Sequence, residues 1–127
     1  MTMQYGTALR TAQVGQIQTQ VSTAGTLIIY SGAQPANCAA ADPAGVLCTI
    51  TLPAAFLTSS GGVTTLVGTW SNTASATGTA ASFRIKDGSA VCHVQGNVTT
   101  DLILNNTSIT SGQTVTVTQF SVTAGNP

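Results

Sequence analysis

The sequence predicts a mainly β protein, an antiparallel β-sandwich of jelly-roll type with a short N-terminal helix. Three observations carry that reading. Short apolar segments with a period of two recur from Leu27 to Val122. Gly, Pro, Asn and Asp interrupt them at short intervals, as turns between strands require. The polar residues are mostly Thr, Ser, Asn and Gln, and Thr is β-branched and suits the solvent face of a sheet.

The chain divides near Gly25 into a helical segment, residues 1–25, and a sandwich domain, residues 26–127. From about Gln4 to Thr23, Leu9, Val14, Ile17 and Val21 recur near one face at helical spacing between Gln and Thr residues. Gly15 weakens such a helix and Gly25 is a suitable stop.

Strands follow at Leu27 to Tyr30 and at Val46 to Leu52, the second with Val46, Cys48, Ile50 and Leu52 on one face. Between them, Ser31 to Gly45 reads as a long loop because it holds Gly32, Pro35, Asp42, Pro43 and Gly45. Pro53 to Gly62 reads as a second loop. Further strands are expected at Val63 to Val67, Thr69 to Asn72, Thr79 to Lys86, Asp101 to Leu104 and Thr114 to Val122. Asn105 to Gly112 is a connection. In the last strand Val115 and Val117 share a face that Phe120 and Val122 do not. Either a bulge lies near Thr118 and Gln119, or that strand end is covered on both sides.

Ala81 to Gln95 carries the clearest local signal. Asp87-Gly88 suits a two-residue type I′ turn, because both residues tolerate positive φ. That turn pairs Lys86 with Ser89, Phe83 with Cys92 and Ala81 with Val94. Ala81, Phe83, Ile85, Ala90, Cys92 and Val94 then face inward. Ser82, Arg84, Lys86, Ser89, Val91 and His93 face solvent.

At 127 residues one domain is expected, large enough to bury a real core. The chain is 43% hydrophobic with a mean hydropathy of +0.31, which argues against disorder. Only 5% of it is charged, against about 25% in an average domain. The charges are Arg10, Asp42, Arg84, Lys86, Asp87 and Asp101, and they sum to zero. Three scattered cations cannot form the basic face that phosphate binding needs, so no nucleic-acid partner is expected. A net charge of zero also removes the repulsion that disperses monomers, which points to assembly with other subunits. Met1 to Arg10 shows no basic region followed by an apolar stretch, and no run approaches the roughly 18 apolar residues of a membrane helix. No membrane partner is expected. For Cys38, Cys48 and Cys92, synthesis in a reducing cytoplasm makes buried thiols the default, with a Cys38–Cys48 bridge as the alternative.

His93 is the only histidine, but its neighbour Cys92 points to the opposite face of a strand, so a thiol–imidazole pair is not expected. A Ser–His–acid triad would need Asp42, Asp87 or Asp101 beside His93, and no G-x-S-x-G elbow exists. Neither close C-x-x-C nor H-x-x-x-H spacing nor a phosphate loop is present. The sequence therefore assigns no catalytic, cofactor-binding or metal-ligating residue, and no cofactor. Arg84, Lys86 and His93 read as a solvated strand face, with contact to an acidic neighbour as the alternative. Trp70, Tyr5 and Tyr30 suit sugar stacking only if exposed, and Trp70 reads as core. Phe56 is the only aromatic residue in the two long loops.

The ordered set of segments Thr26 to Ala36 (TLIIYSGAQPA), Ser82 to Gly88 (SFRIKDG) and Leu104 to Val115 (LNNTSITSGQTV) follows the short helix. In this order they resemble small virion-associated proteins of tailed phages and prophages. The resemblance runs from about Leu9 to Ala124. It implies a virion component, assembled in the host cytoplasm, with no enzymatic residues to carry over. The reading it favours is a capsid decoration or cement protein that binds the major capsid protein and self-associates as a dimer or trimer. A tail, neck or fibre component, including a receptor- or glycan-binding module, is the alternative. The three cysteines are not part of the resemblance, so a redox role for them stays open.

Overall fold

The computed structural model describes residues 3–125 and is mainly β, built from antiparallel sheets. Met1, Thr2, Asn126 and Pro127, the ends of the expected segments 1–25 and 26–127, lie outside the described residues. Helix α1 (Thr7–Val21) runs into a single 3₁₀ turn (Ser22–Ala24) before the strands begin. The strands are β1 (Thr26–Tyr30), β2 (Val46–Thr51), β3 (Leu57–Ser60), β4 (Val63–Leu66), β5 (Ser71–Thr73) and β6 (Gly78–Thr79). They continue with β7 (Ser82–Lys86), β8 (Cys92–Asn97), β9 (Leu102–Leu104), β10 (Ser108–Ile109) and β11 (Thr114–Thr123).

One sheet has the order β2-β1-β7-β8. The other runs β3-β4-β11-β5, with β9 also pairing β11, and β6 pairs β10 in a short ribbon. The long strand β11 serves three partners along its length: β5 through Thr114–Thr116, β9 around Val117–Phe120, and β4 through Ser121–Thr123. The two sheets share one core. Leu27, Ile29, Ile50, Phe83 and Ile85 come from the first, and Val115, Val117, Leu102 and Phe120 from the second. Phe83 meets Phe120 at right angles with ring centroids 5.9 Å apart, joining the sheets at their middle. Trp70 lies 5.5 Å from Phe120 and 5.9 Å from Phe56. Its indole N–H donates to the Val67 carbonyl at 3.1 Å, so the largest core side chain leaves no polar atom unsatisfied.

Of the expected helix face, Val14 and Val21 are buried and Ile17 packs against the core, but Leu9 is 52% exposed. The helix is fixed largely by polar contacts instead. Gln18 Oε1 accepts from the Leu57 N–H at 2.8 Å and Thr11 Oγ1 from the Gly62 N–H at 2.9 Å, while Arg10 donates to the Ala124 carbonyl. The Leu57 contact satisfies a backbone donor on β3, the edge strand of its sheet.

Several expected elements are corrected. Pro53 to Gly62 is not wholly a loop, since its second half is β3. Ser60 faces Val63 across Gly61-Gly62, whose φ values of 61° and 78° are the left-handed pair a two-residue hairpin requires. The I′-type turn expected at Asp87-Gly88 is therefore found at Gly61-Gly62. Thr79 to Lys86 is broken into β6 and β7, and β10 lies within the expected connection from Asn105 to Gly112. Leu47 is an extra residue in the β1–β2 pairing, so Leu47 is buried while Val46 turns out to solvent. In β11 the register shifts between Val117 and Gln119, the bulge alternative, and Phe120 returns to the core face.

The β7–β8 hairpin differs most. Phe83 pairs with Gly96 and Ile85 with Val94, and Lys86 faces Cys92, leaving His93 as the bulged residue. Gly88 does not adopt positive φ. The left-handed position falls on Ala90, at φ 63°, three residues beyond Asp87. The Asp87 carboxylate accepts from the Ser89 and Val91 N–H groups and stabilises this longer turn. Cys92 therefore stands on the outer face beside Lys86, not on the inward face beside Phe83.

Candidate functional site

The outer face of β7 is covered. The segment from Ser31 to Gly45 folds back across it, so Ser82, Arg84 and Lys86 are buried although they alternate with the core residues Phe83 and Ile85. This corrects the expectation of a solvated basic face. Ser82 Oγ donates to the Gly32 carbonyl at 2.7 Å. Arg84 fans out beneath the loop. Nη1 donates to the Ala40 carbonyl and Asp42 Oδ1, and Nη2 to the Asn37 carbonyl and Gln95 Oε1, at 2.8–3.1 Å. Lys86 Nζ donates to the other Asp42 oxygen at 2.6 Å. One loop carboxylate thus bridges two strand cations. The Lys86 hydrogen bond, reinforced by Arg84, holds the Asp42 carboxyl below the usual aspartate range against the opposing pull of desolvation. Asp42 stays partly open to water while both cations are nearly sealed.

A disulfide between Cys38 and Cys92 ties the same loop to β8. Both the default of three buried thiols and the Cys38–Cys48 alternative are corrected. The folded-back loop carries Cys38 over the outer face, where the shifted register has put Cys92. Cys48 lies on β2, points into the core and is a free thiol. Its Sγ approaches the carbonyls of Asn72 and Thr73, and burial pushes the thiol up from its ordinary pKa. Beside the disulfide lies a surface depression of about 610 Å³, lined among others by Cys38, Asp42, Arg84, Lys86, Val91 and Cys92.

The other residues weighed from sequence separate clearly. His93 Nε2 lies 2.9 Å from Asp87 Oδ2, so the structure joins these two, while the sulfur of Cys92 is bonded to Cys38. The contact from His93, followed by the Val91 and Ser89 N–H groups, lowers the Asp87 carboxyl below its ordinary range. Asp101 accepts from the Asn97 N–H at 2.8 Å and holds a turn. Trp70, Tyr30 and Phe56 are fully buried and present no ring to a sugar. Burial, with the nearby Asp42 charge, raises the Tyr30 phenol. Among the described residues no group of three His, Cys, Asp or Glu side chains is placed to hold a metal ion, and no helix is long and apolar enough to cross a membrane.

The Arg84–Asp42–Lys86 cluster was missed because alternation alone assigns Arg84 and Lys86 to solvent. The one available signal was the length of the Ser31–Gly45 segment, since a long connection in a small domain has to lie against something. Compared with protein families, with curated proteins and with solved structures, the chain has no match.

Proposed function

We propose that this chain is a structural protein of a phage virion, a capsid decoration or cement protein that acts by binding alone. The observation that carries the reading is the fate of its charges. All six charged side chains are engaged within the chain: Arg10 with Ala124, Arg84 and Lys86 with Asp42, Asp87 with His93, and Asp101 with Asn97. The exposed side chains are mostly Thr, Ser, Asn, Gln and Ala with isolated apolar ones such as Val67, Val91 and Ile103, joined by Asp42 and Asp101, which are paired but open to water. Such a surface costs less to desolvate than a charged one and suits broad contact with neutral protein that supplies hydrogen-bond partners.

The outer side of α1 offers Ala8, Leu9 and Ala12, and β8 is the last strand of its sheet. These are the surfaces through which the chain would contact the major capsid protein and further copies of itself, as a dimer or trimer. Binding the assembled shell more tightly than the open one stabilises the shell by mass action. We also read the sandwich as jelly-roll type. In support, the hairpins β1–β2, β3–β4 and β7–β8 fall alternately in the two sheets. A place in the tail, neck or fibre would use the same contact chemistry in fewer copies. The burial of Trp70, Tyr30 and Phe56 weighs against a glycan-binding module there.

The test is the number of copies of this chain per major capsid protein in purified particles, by quantitative mass spectrometry. Near-stoichiometric copies support decoration of the shell. A handful per particle moves the protein to the tail, neck or fibre, and its absence from particles ends the virion reading.

A further inference from the structure

We propose that the Cys38–Cys92 disulfide is a thiol-exchange site for a small-molecule thiol, and that its state decides whether the loop clasps the cationic face of β7. The inference is independent of the virion reading and is testable on the purified chain.

Three observations lead to it. The bond borders the 610 Å³ depression, and both of its cysteines are only half-buried, so a thiolate has a path to sulfur. Cys92 is the direct cross-strand partner of Lys86, so the sulfur and the ammonium share one face of the hairpin. The bond joins residues 54 apart and secures a loop that covers two side chains, Arg84 and Lys86, exposed by only 3% and 11%. A disulfide sealed in the core would lack the first of these features, the open approach to sulfur.

The step balances without a further oxidant. A thiolate attacks Cys38 Sγ, forming a mixed disulfide there, and the sulfur–sulfur bond breaks with its electron pair leaving on Cys92. Lys86, across the strands from Cys92 and shared with the Asp42 carboxylate, is the cation on that face that favours the leaving thiolate, and leaving groups of lower pKa depart faster. A second thiolate attacks the exogenous sulfur of the mixed disulfide, releasing the oxidised small-molecule disulfide and the Cys38 thiolate. Water protonates both cysteines. The net change is reduction of one protein disulfide by two small thiols. The loop is then held without a covalent tie, by hydrogen bonds from Ser82, Arg84 and Gln95 and by the pairs of Asp42, whose carboxylate faces water. Cys48, sealed in the core, takes no part.

The experiment is reduction of the native protein by glutathione, followed by mass mapping of each cysteine. The rate is expected to rise in proportion to glutathione, with the first adduct on Cys38. Lys86→Met should slow exchange about fivefold by removing the charge beside the leaving sulfur, and Lys86→Arg should restore it. A rate independent of glutathione and equal to that of global unfolding would overturn the site. So would an unchanged rate in Lys86→Met, or a first adduct on Cys92. Backbone hydrogen exchange over residues 37–42 should rise about tenfold or more in the reduced protein. Equal protection in both states would overturn the clasp.

Discussion

Arg84 shows how a single side chain can be misjudged by its place in a strand. Its position opposite to Phe83 and Ile85 is the one alternation assigns to water, yet its guanidinium is enclosed by four acceptors. Removing it leaves the Ala40 and Asn37 carbonyls without their donor and Asp42 with one cation. Arg84→Ala is therefore expected to lower stability by about 3 kcal/mol, read from the urea midpoint. Arg84→Lys should recover only part of that loss, because one ammonium cannot span acceptors arranged for a planar fork. Asp42 sets a pH dependence on the same cluster. Its folded pKa lies below its unfolded value, so its contribution is present above about pH 4 and is lost as the pH falls through the folded value. Thermal melts from pH 7 to pH 2 should show that loss, and Asp42→Asn should flatten the curve in part. Asp87, shifted in the same direction by His93 and the turn amides, supplies a further share.

At the scale of elements, the two tight hairpins show how much turn chemistry reveals and where it stops. Asp87-Gly88 and Gly61-Gly62 are both acceptable type I′ pairs on composition. The structure uses the second as a two-residue loop and gives the first a longer turn, because the Asp87 carboxylate captures the amides of Ser89 and Val91. The left-handed position then falls on Ala90, where a Cβ is disfavoured. Ala90→Gly is expected to stabilise the protein by about 0.5–1 kcal/mol, measured by equilibrium unfolding, with the β7–β8 register unchanged. The helix was legible from Val14, Ile17 and Val21, whose spacing does mark the buried side. Leu9 lies on the exposed side instead, since Arg10 and Thr11 face the β3–β4 turn and Ala124, and Thr11 and Gln18 hold the helix through hydrogen bonds that hydropathy does not register.

On the scale of the whole molecule, the disulfide is the one covalent link between distant parts of the chain among the described residues. Cross-linking residues 54 apart restricts the unfolded chain strongly. The double variant Cys38→Ser, Cys92→Ser should lose about 2–4 kcal/mol in a urea titration, and the reduced wild type should unfold with the same midpoint. A double variant as stable as the oxidised protein would show that the Arg84 and Asp42 contacts suffice to hold the loop. Because all six charged side chains have partners within the chain and only Asp42 and Asp101 among them are well exposed, the outward surface is set mostly by neutral side chains, the property on which the proposed packing against other subunits rests.

Read alone, the sequence carries the mainly β class, the helix before Gly25 and most of the core, while in the last strand it leaves a bulge and two-sided cover as alternatives. These follow from local periodicity, which side-chain geometry imposes on any chain of this composition. Which outward residues are covered emerges only from the folded chain. A loop's path over a sheet depends on contacts between residues far apart in sequence, and here several set it together, among them Arg84 with Asp42, Lys86 with Asp42, Ser82 with Gly32, and Cys38 with Cys92. No local signal encodes that Asp42 must reach two cations more than 40 residues downstream. The cysteine pairing was undecidable for the same reason, since it rests on a one-residue bulge at His93 that turns Cys92 from the core to the outer face.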